Sequence, residues 1–288
     1  MNSLRHSDVA SHATTGTVSS LGHGVQRIVA PNPGPLTGPG TNTYVIGTGS
    51  DCIVVDPGPD DPSHIERILD AAQGCIGAIL CSHSHPDHSP GAAPLRRLAG
   101  APVFGRAAPG DSHQDPTYAP DAPLEDGQVL HVAGSTLRVL HTPGHASNHV
   151  CFLHEQQGWL LTGDHLMSGS TVVILPPDGS MRLYLQSLHR LRELPLAALL
   201  PGHGAAMLDP RNEIDRVIAH RSRREDKVVD ALRREGAASL DALLPRVYDD
   251  TPAALHGLAR YSLLAHLQKL VEEERADADG VTWIWRER

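Results

Sequence analysis

Three histidines and one aspartate are concentrated in the stretch SHSHPDHS, residues 82–89, directly after the apolar run IGAILC. Imidazole nitrogens are frequent ligands of metal ions, and an aspartate adds a hard carboxylate oxygen. In an extended segment the side chains of His83 and His85 point to the same side, and Asp87 follows on that side. We place His88 at the start of the next helix, so that four donors converge. The stretch therefore predicts a metal site at the end of a buried strand.

Three further residues of ligating type follow apolar runs and stand beside a glycine, which lets the backbone turn tightly. They are His145 in HTPGH, Asp164 in LTGDH and His203 in PGHG. Together with the first stretch they predict a dinuclear zinc centre, in which Mn²⁺ or Fe²⁺ could replace zinc. We assign His83, His85 and His145 to one ion, Asp87, His88 and His203 to the other, and Asp164 to a bridging position. Isolated histidines such as His64 are expected to be ordinary core or surface residues.

Such a centre predicts hydrolysis. Two ions about 3.5–4 Å apart can share one bridging hydroxide, whose pKa falls towards neutrality. One ion would polarise a carbonyl or phosphoryl oxygen while the hydroxide attacks, and the other would accept the leaving group. Asp87 is assigned the catalytic acid/base role in addition to its role as a ligand. Attack at carbon or at phosphorus is equally compatible with this centre, so ester, thioester and phosphodiester bonds all stay open.

Five further side chains are candidates for substrate binding: Asn42, Tyr44, His165, Arg221 and Arg224. Asn42 and Tyr44 are expected on a strand edge near the cleft, with plain strand packing as the alternative. His165 either orients the site or contacts substrate, or else it caps a loop. Arg221 and Arg224 lie one turn apart on a predicted helix and could grip a phosphate or carboxylate, unless they belong to a solvated salt-bridge face.

The composition restricts the class of partner. The chain of 288 residues has a formal net charge of -9, a pI of about 6.1, and only 2 Phe and 3 Trp residues. A protein that binds nucleic acid through phosphates and stacked bases is usually more basic and richer in aromatic residues. We therefore expect a small anionic substrate or single-stranded RNA, no duplex DNA and no membrane, with a homodimer left open. The polar start without an apolar core segment and the four cysteines without CxxC spacing favour the cytoplasm.

The surrounding pattern supplies elements that could position these residues. Asp61 and Pro62 mark the start of a helix that would stop at Gly74. Hairpins are predicted around Gly134 and around Gly158, and a further strand pair is predicted on either side of a turn at 48–51. Strand pairs of this kind, interleaved with helices, predict an α/β fold of two mixed sheets sandwiched by helices, not a doubly wound parallel sheet.

The character of the sequence changes after the last glycine of PGHG. We predict a flexible N-terminal tail over 1–24, a metal-hydrolase domain over 25–208 and a second domain over 209–288. The second domain would contain a long helix to about residue 235, two further helices and a hairpin, which is the order of a winged helix. Its third helix carries few basic residues, so a wall of the substrate cleft or a subunit contact is favoured over DNA reading.

Four motifs, HSHPDH, TPGH, TGDH and PGHG, occur in the order in which they stand in hydrolases of the metallo-β-lactamase fold. The resemblance covers roughly residues 25–207 and implies an αββα sandwich with a metal site at these positions. The stretches PGPLTGPGTNTYVIG and PPDGSM, with the winged helix, look most like the lactamase-β-like protein 2 group. Some members of that group are single-strand endoribonucleases. Glyoxalase II-type hydrolases are also similar, since they share the seven metal positions.

The sequence differs at two ligand positions from other branches of the same fold, and these differences narrow the choice of similar enzymes. True class B β-lactamases have a cysteine where Asp164 stands, and diiron flavoprotein relatives have a glutamate where His85 stands. The chain therefore resembles the zinc hydrolases more than the antibiotic-degrading or redox enzymes. The alternative of another class is a DNA- or partner-binding winged-helix protein with a relic metal site. It is disfavoured because structural zinc sites are usually closed and rich in cysteine.

Overall fold

A computed structural model of the chain describes residues 13–47, 51–132 and 134–287. The described residues divide into two compact units. The first unit contains residues 13–142, Asn148–Thr171 and Leu194–Arg211. The second unit contains Pro143–Ser147, Val172–Glu193 and the residues from Asn212 onwards. The segment Val172–Glu193 thus belongs to the second unit, although in sequence it lies within the predicted domain 25–208.

The first unit is built on two mixed sheets. The first sheet has the strands β1 Val18–Gly22, β2 Val25–Val29, β3 Asn42–Ile46, β4 Cys52–Val55, β5 Ile76–Leu80 and β6 Val103–Phe104, in this spatial order. The second sheet has the strands β7 Val129–Val132, β8 Ser135–His141, β9 Val150–His154, β10 Trp159–Gly163 and β11 Ala198–Pro201, in the reverse spatial order. Neighbouring strands are antiparallel except in the pairs β4–β5, β5–β6 and β10–β11.

The core of this unit lies in two layers. One layer fills the space between the sheets, where Leu80 of the first sheet and Phe152 and Leu161 of the second are buried. The other layer lies between the first sheet and two helices, α1 Pro62–Ala71 and α2 Ala92–Ala99. The order of strand pairs and helices along the sequence therefore predicted the correct architecture. The α/β sandwich of two mixed sheets is confirmed.

Helix α1 shows how local sequence defines an element. The Oδ1 atom of Asp61 accepts a hydrogen bond of 2.9 Å from the backbone N–H of His64, as an N-cap should. The helix ends at Ala71, before Gly74, which adopts a left-handed conformation with φ of 71°. The ring of His64 is fully buried, and its Nε2 lies 2.8 Å from Thr43 Oγ1. Burial lowers the pKa of His64 to about 4, so this histidine is a neutral core residue.

Several predicted boundaries differ from the structure. The predicted tail 1–24 is wrong for residues 18–22, which form β1, because Leu21 buries its side chain in the core and the strand pairs with β2. Residues 1–12 of that tail lie outside the described residues, as do 48–50 of the predicted turn at 48–51. The strands β3 and β4 on either side of that turn are antiparallel, as predicted. His88 lies in a turn, because α2 begins only at Ala92, after Pro90 and Gly91.

The second unit contains the predicted C-terminal helices and wing. Its elements are α3 Met181–Arg192, α4 Pro210–Glu235 (which starts in the first unit), β12 Ala237–Ser239, α5 Leu240–Val247, a 3₁₀ turn Ala253–Leu255, α6 His256–Glu272, β13 Ala276–Asp279 and β14 Thr282–Trp285. The three strands pair in the order β12-β14-β13, and the core is formed by buried residues such as Leu232, Leu263 and Leu267. A winged helix is therefore present. Among the described residues, no helix is long and apolar enough to cross a membrane.

Candidate metal centre

The ligand-type residues of the first unit lie on loops at the carboxyl ends of its strands. Residues 81–91 follow β5, whereas Asp164 follows β10 and His203 lies two residues after β11. Because β10 and β11 are parallel neighbours, their two loops leave the same edge of the sheet. A Cβ atom on Gly202 would lie 2.8 Å from Asp164 Oδ1 and 2.8 Å from a ring carbon of His88. Only glycine lets the three loops approach this closely.

Four side chains converge where these loops meet: Asp87, His88, Asp164 and His203. The Nε2 atoms of His88 and His203 are 3.2 Å apart, and each lies 3.3 Å from Asp164 Oδ1. Asp87 Oδ2 lies 3.6 Å from His88 Nε2 and 3.2 Å from His203 Nε2. Ligands bound tetrahedrally to zinc at about 2.0–2.1 Å would be about 3.3–3.4 Å apart. The four atoms therefore have the spacing of one tetrahedral coordination shell.

The charges of this cluster also suit a cation. Burial alone would lower the pKa of His88, but the carboxylates of Asp164 and Asp87 raise it well above its ordinary value. The pKa of His203 is raised to about 9, again against the effect of burial and chiefly by Asp164. Burial would raise the pKa of Asp164, but His203 and His88 hold it well below its ordinary value. The buried carboxylate of Asp164 and the partly exposed one of Asp87 thus draw protons onto two imidazoles, and a divalent cation would compete with those protons.

The tautomers of the histidines are fixed by acceptors behind the rings. His88 Nδ1 lies 3.1 Å from Asp56 Oδ2, and His203 Nδ1 lies 3.2 Å from the carbonyl oxygen of Gly40. Since both acceptors lack a proton to give, each Nδ1 carries the hydrogen and donates it. When a cation displaces the proton from Nε2, that atom can present its lone pair to the centre of the cluster. Metal-ligating histidines are held in this way by a partner behind the ring.

Asp56 is a functional residue that the sequence reasoning missed. It is buried after β4, and its carboxylate accepts hydrogen bonds from Ser82 N at 2.6 Å and from Ser82 Oγ at 2.7 Å, besides that from His88. Ser82 Oγ in turn lies 2.9 Å from His83 Nδ1. The backbone of Asp56 has a φ of 50°, which is uncommon for a residue other than glycine. An aspartate between an apolar strand and Pro-Gly, in VVDPG, is the signal that could have found it.

Asn42 and Tyr44 do not lie on a strand edge, because β3 has β2 and β4 as neighbours on its two sides. Both side chains are buried. Asn42 Nδ2 donates to the carbonyl oxygens of Pro201 at 2.8 Å and Gly204 at 2.9 Å, and the Tyr44 hydroxyl donates to Pro201 at 2.8 Å. The predicted strand-edge position is therefore corrected, and the substrate contact stays a prediction. These residues hold the loop that carries His203.

The other three predicted ligands are His83, His85 and His145. The ring centroids of His83 and His85 lie 4.5 Å apart in the first unit. His145 lies in Pro143–Ser147 of the second unit, where its Nδ1 is 2.8 Å from the carbonyl oxygen of Val173. With Nδ1 in that contact, Nε2 would be the ligating atom of His145, and the role of these three histidines stays a prediction. His165 is fully buried beside Asp164, and its role in substrate binding also stays a prediction.

Arg221 and Arg224 are held inside the second unit. Arg221 is buried, donates from Nη2 to the carbonyl oxygen of Val172, and lies 5.6 Å from the ring centroid of Tyr184. Arg224 donates to the carbonyl oxygen of Val247 and, at 2.8 Å, to Asp250. Both guanidinium groups thus donate to backbone carbonyl oxygens of the second unit. Their predicted grip on a substrate anion stays a prediction.

Comparison with known proteins identifies the family. The family model described as the metallo-beta-lactamase superfamily matches residues 36–203, more than half of the chain. The chain belongs to the metallo-β-lactamase superfamily. A second model, described as the beta-lactamase associated winged helix domain, matches residues 239–283. The resemblance drawn from the four motifs and from the C-terminal helices is thereby confirmed, and the chain is a hydrolase of this superfamily.

Relatives within the superfamily share most of the chain. It is 32% identical to the beta-lactamase-like protein 2 homolog of Drosophila melanogaster, over 89% of this chain and 90% of that protein. It is also 32% identical to an atrochrysone carboxyl ACP thioesterase of Cryptosporiopsis sp., over 75% of this chain and 65% of that protein. The crystal structure of a metallo-beta-lactamase family protein from Thermus thermophilus superposes with a TM-score of 0.77 and 25% identity, covering 93% of this chain and all of that one.

Proposed function

We propose that this superfamily hydrolase is a dinuclear zinc enzyme that cleaves acyl thioesters. The observation that carries the proposal is the cluster of Asp87, His88, Asp164 and His203. Five separations between their ligand atoms are 3.2–3.6 Å, close to those of ligands around one tetrahedral ion. Nitrogen and carboxylate ligands without cysteine suit zinc, and would also accept Mn²⁺ or Fe²⁺.

The seven residues fall into two ligand groups in this proposal. Asp87, His88 and His203 would hold one ion, His83, His85 and His145 would hold the other, and Asp164 would be available to both. The bound metal ions would supply a Lewis acid for the scissile carbonyl and lower the pKa of an attacking water. Asp56 and the carbonyl of Gly40 keep His88 and His203 in the tautomer that binds metal.

Asp87 is the residue of the cluster best placed to handle a proton. Its side chain is 29% exposed, whereas that of Asp164 is 12% exposed and the two histidine side chains are almost fully buried. Burial would raise the pKa of Asp87, but the positive charge of His88 and a hydrogen bond from His203 lower it below its ordinary value. Asp87 is therefore ionised at neutral pH. In this state it can accept a proton from the attacking water, which is the base part of its predicted acid/base role.

Among the candidate bonds, a thioester has a leaving group that can depart without a proton. A thiol has a pKa of about 8.5 and can leave as a thiolate, whereas an alkoxide or an amide nitrogen needs a general acid. The thioesterase name of the fungal relative points to the same bond. The net charge of -9 and the scarcity of aromatic residues disfavour a long polyanion, so we place single-stranded RNA second.

A parallel substrate panel tests the proposal. Zinc-loaded protein is offered an acyl-pantetheine thioester, a bis-aryl phosphodiester and a short single-stranded RNA. His85→Ala serves as the blank, and His131→Ala, which changes an exposed histidine of β7, serves as the matched control. We expect thiol release by the wild type and His131→Ala but not by His85→Ala. Cleavage of RNA alone would replace the thioester assignment, and turnover of no substrate above the blank would refute the proposed activity.

A further inference from the structure

His149, a histidine outside the predicted ligand set, contacts the backbone of the proposed bridging ligand. It lies directly before β9, its side chain is fully buried, and its ring centroid is 5.1 Å from that of His83. The backbone N–H of Asp164 donates a hydrogen bond of 3.1 Å to His149 Nε2. A backbone amide can only donate, so Nε2 must be the acceptor and the proton of the neutral ring must lie on Nδ1.

The other side of the ring requires the same tautomer. His149 Nδ1 lies 2.9 Å from Thr142 Oγ1, and Thr142 Oγ1 lies 3.3 Å from Cys151 Sγ. The Cys151 thiol donates to the carbonyl oxygen of Thr162 at 3.6 Å, and a carbonyl can only accept. The thiol hydrogen is thus used there, Sγ accepts from the Thr142 hydroxyl, and that hydroxyl accepts from Nδ1–H. Both ends of the chain of hydrogen bonds therefore fix the ring in one orientation.

Gly163 permits the contact between His149 and the backbone N–H of Asp164. Gly163 precedes Asp164 and has a φ of 45°, and a Cβ atom there would lie 2.7 Å from His149 Nε2 and 2.7 Å from Ser82 Oγ. Any larger residue would separate the histidine from the amide. The backbone of Thr142 also donates to the carbonyl oxygen of His149 at 3.0 Å, which ties both ends of the loop 143–148 together.

From this geometry we infer that His149 is a positioning residue, which holds the backbone of Asp164 where its carboxylate would serve as the shared ligand of the proposed centre. This inference rests on the proposed dinuclear centre and adds to it a residue that binds no metal itself. A neutral ring serves this purpose, because it accepts the amide proton without adding a positive charge beside the metal ions.

Two substitutions separate positioning from simple packing. In His149→Gln the side-chain oxygen can reach the place of Nε2 and accept from the Asp164 amide, whereas in His149→Asn the shorter amide reaches only the place of Nδ1. We expect His149→Gln to bind the second equivalent of Co²⁺ with an affinity within about threefold of the wild type. We expect His149→Asn to bind it about 10- to 100-fold more weakly, as for other residues that orient metal ligands. The change in the Co²⁺ absorption spectrum on titration measures this. Equal losses in both variants, or none in Asn, would overturn the inference.

A measurement on the metal-free wild type is independent of the proposed function. Long-range ¹H–¹⁵N spectra of the imidazole distinguish the two neutral tautomers. We expect the His149 proton to lie on Nδ1. We also expect Thr142→Val to shift the Nδ1 signal, because it removes the hydroxyl that accepts from Nδ1–H, and Thr142→Ser to leave the signal unchanged. A proton on Nε2 would overturn the inference even if metal binds as proposed. Absence of metal binding by the wild type would refute the proposed centre and, with it, the positioning role of His149. The spectra would still show whether His149 accepts a hydrogen bond from the backbone N–H of Asp164.

Discussion

Replacing Asp56 by asparagine tests how strongly the residues behind the ligands control the metal centre. The substitution changes one carboxylate oxygen to NH₂ and leaves the shape almost unaltered. Asparagine tolerates the positive φ of 50° at this position, so the backbone should not move. The remaining oxygen can still accept from Ser82 N. The new NH₂ group then faces the Ser82 hydroxyl and the Nδ1–H of His88, where the carboxylate had accepted both hydrogens.

The expected loss of zinc affinity depends on which hydrogen bonds of the Asp56 carboxylate the asparagine side chain can replace. The Ser82 hydroxyl can rotate and accept from the new NH₂ group, but the ring N–H of His88 has a fixed direction and meets a second donor. One charge-assisted hydrogen bond is therefore lost, which costs about 1.5–3 kcal/mol. If this cost falls on metal binding, zinc affinity at the cluster of His88 should fall about 10- to 150-fold, since 1.4 kcal/mol is a factor of ten.

The assay is a competition titration of metal-free protein with zinc and a chromophoric chelator, combined with denaturant unfolding. Ser82→Ala is the matched control, because it removes the hydroxyl and leaves the carboxylate of Asp56 facing His88. We expect Asp56→Asn to bind zinc more weakly than Ser82→Ala while remaining folded. A zinc affinity of Asp56→Asn within threefold of the wild type would refute the argument that this carboxylate orients His88.

Three further predictions concern the ligands and the second unit. Asp164→Ala should abolish turnover and reduce the zinc content from two equivalents to one or fewer by elemental analysis; intact activity with a single ion would contradict the shared-ligand model. Truncation after Leu208 should give insoluble or inactive protein, because α3 loses the other elements of its own unit, and a soluble, fully active fragment would disprove this. The pKa of Glu225 is lowered from 4.5 to about 2, since hydrogen bonds from His266 and Lys269 outweigh the opposing effect of burial. Ionised Glu225 therefore contributes fully to stability above about pH 4.5, and this contribution is lost as the pH falls towards 2. We expect the free energy of unfolding of the second unit to decrease less with acid in Glu225→Gln than in the wild type.

The elements of the fold were largely predictable because their signals are local. Helix α1 has its N-cap at Asp61 and its first proline at the next position, so a few neighbouring residues define its start. The hairpin of β9 and β10 turns at Gly158, as predicted from that glycine between two apolar runs. The tail prediction failed at Leu21, because the burial of one apolar side chain depends on strands that follow later in the chain.

The sequence by itself determined the family and the candidate ligands, because ligand-type side chains stand beside glycines at the ends of apolar strands. Only the tertiary structure decided what lies behind those ligands. Asp56 meets Ser82 across 26 positions, Asn42 meets Pro201 across 159, and His149 meets Asp164 across 15. These partners carry no shared local pattern, since the packing of distant strands alone brings their polar atoms within hydrogen-bonding distance. The same packing takes Arg221, which in sequence resembles an anion grip, into the interior beside a backbone carbonyl.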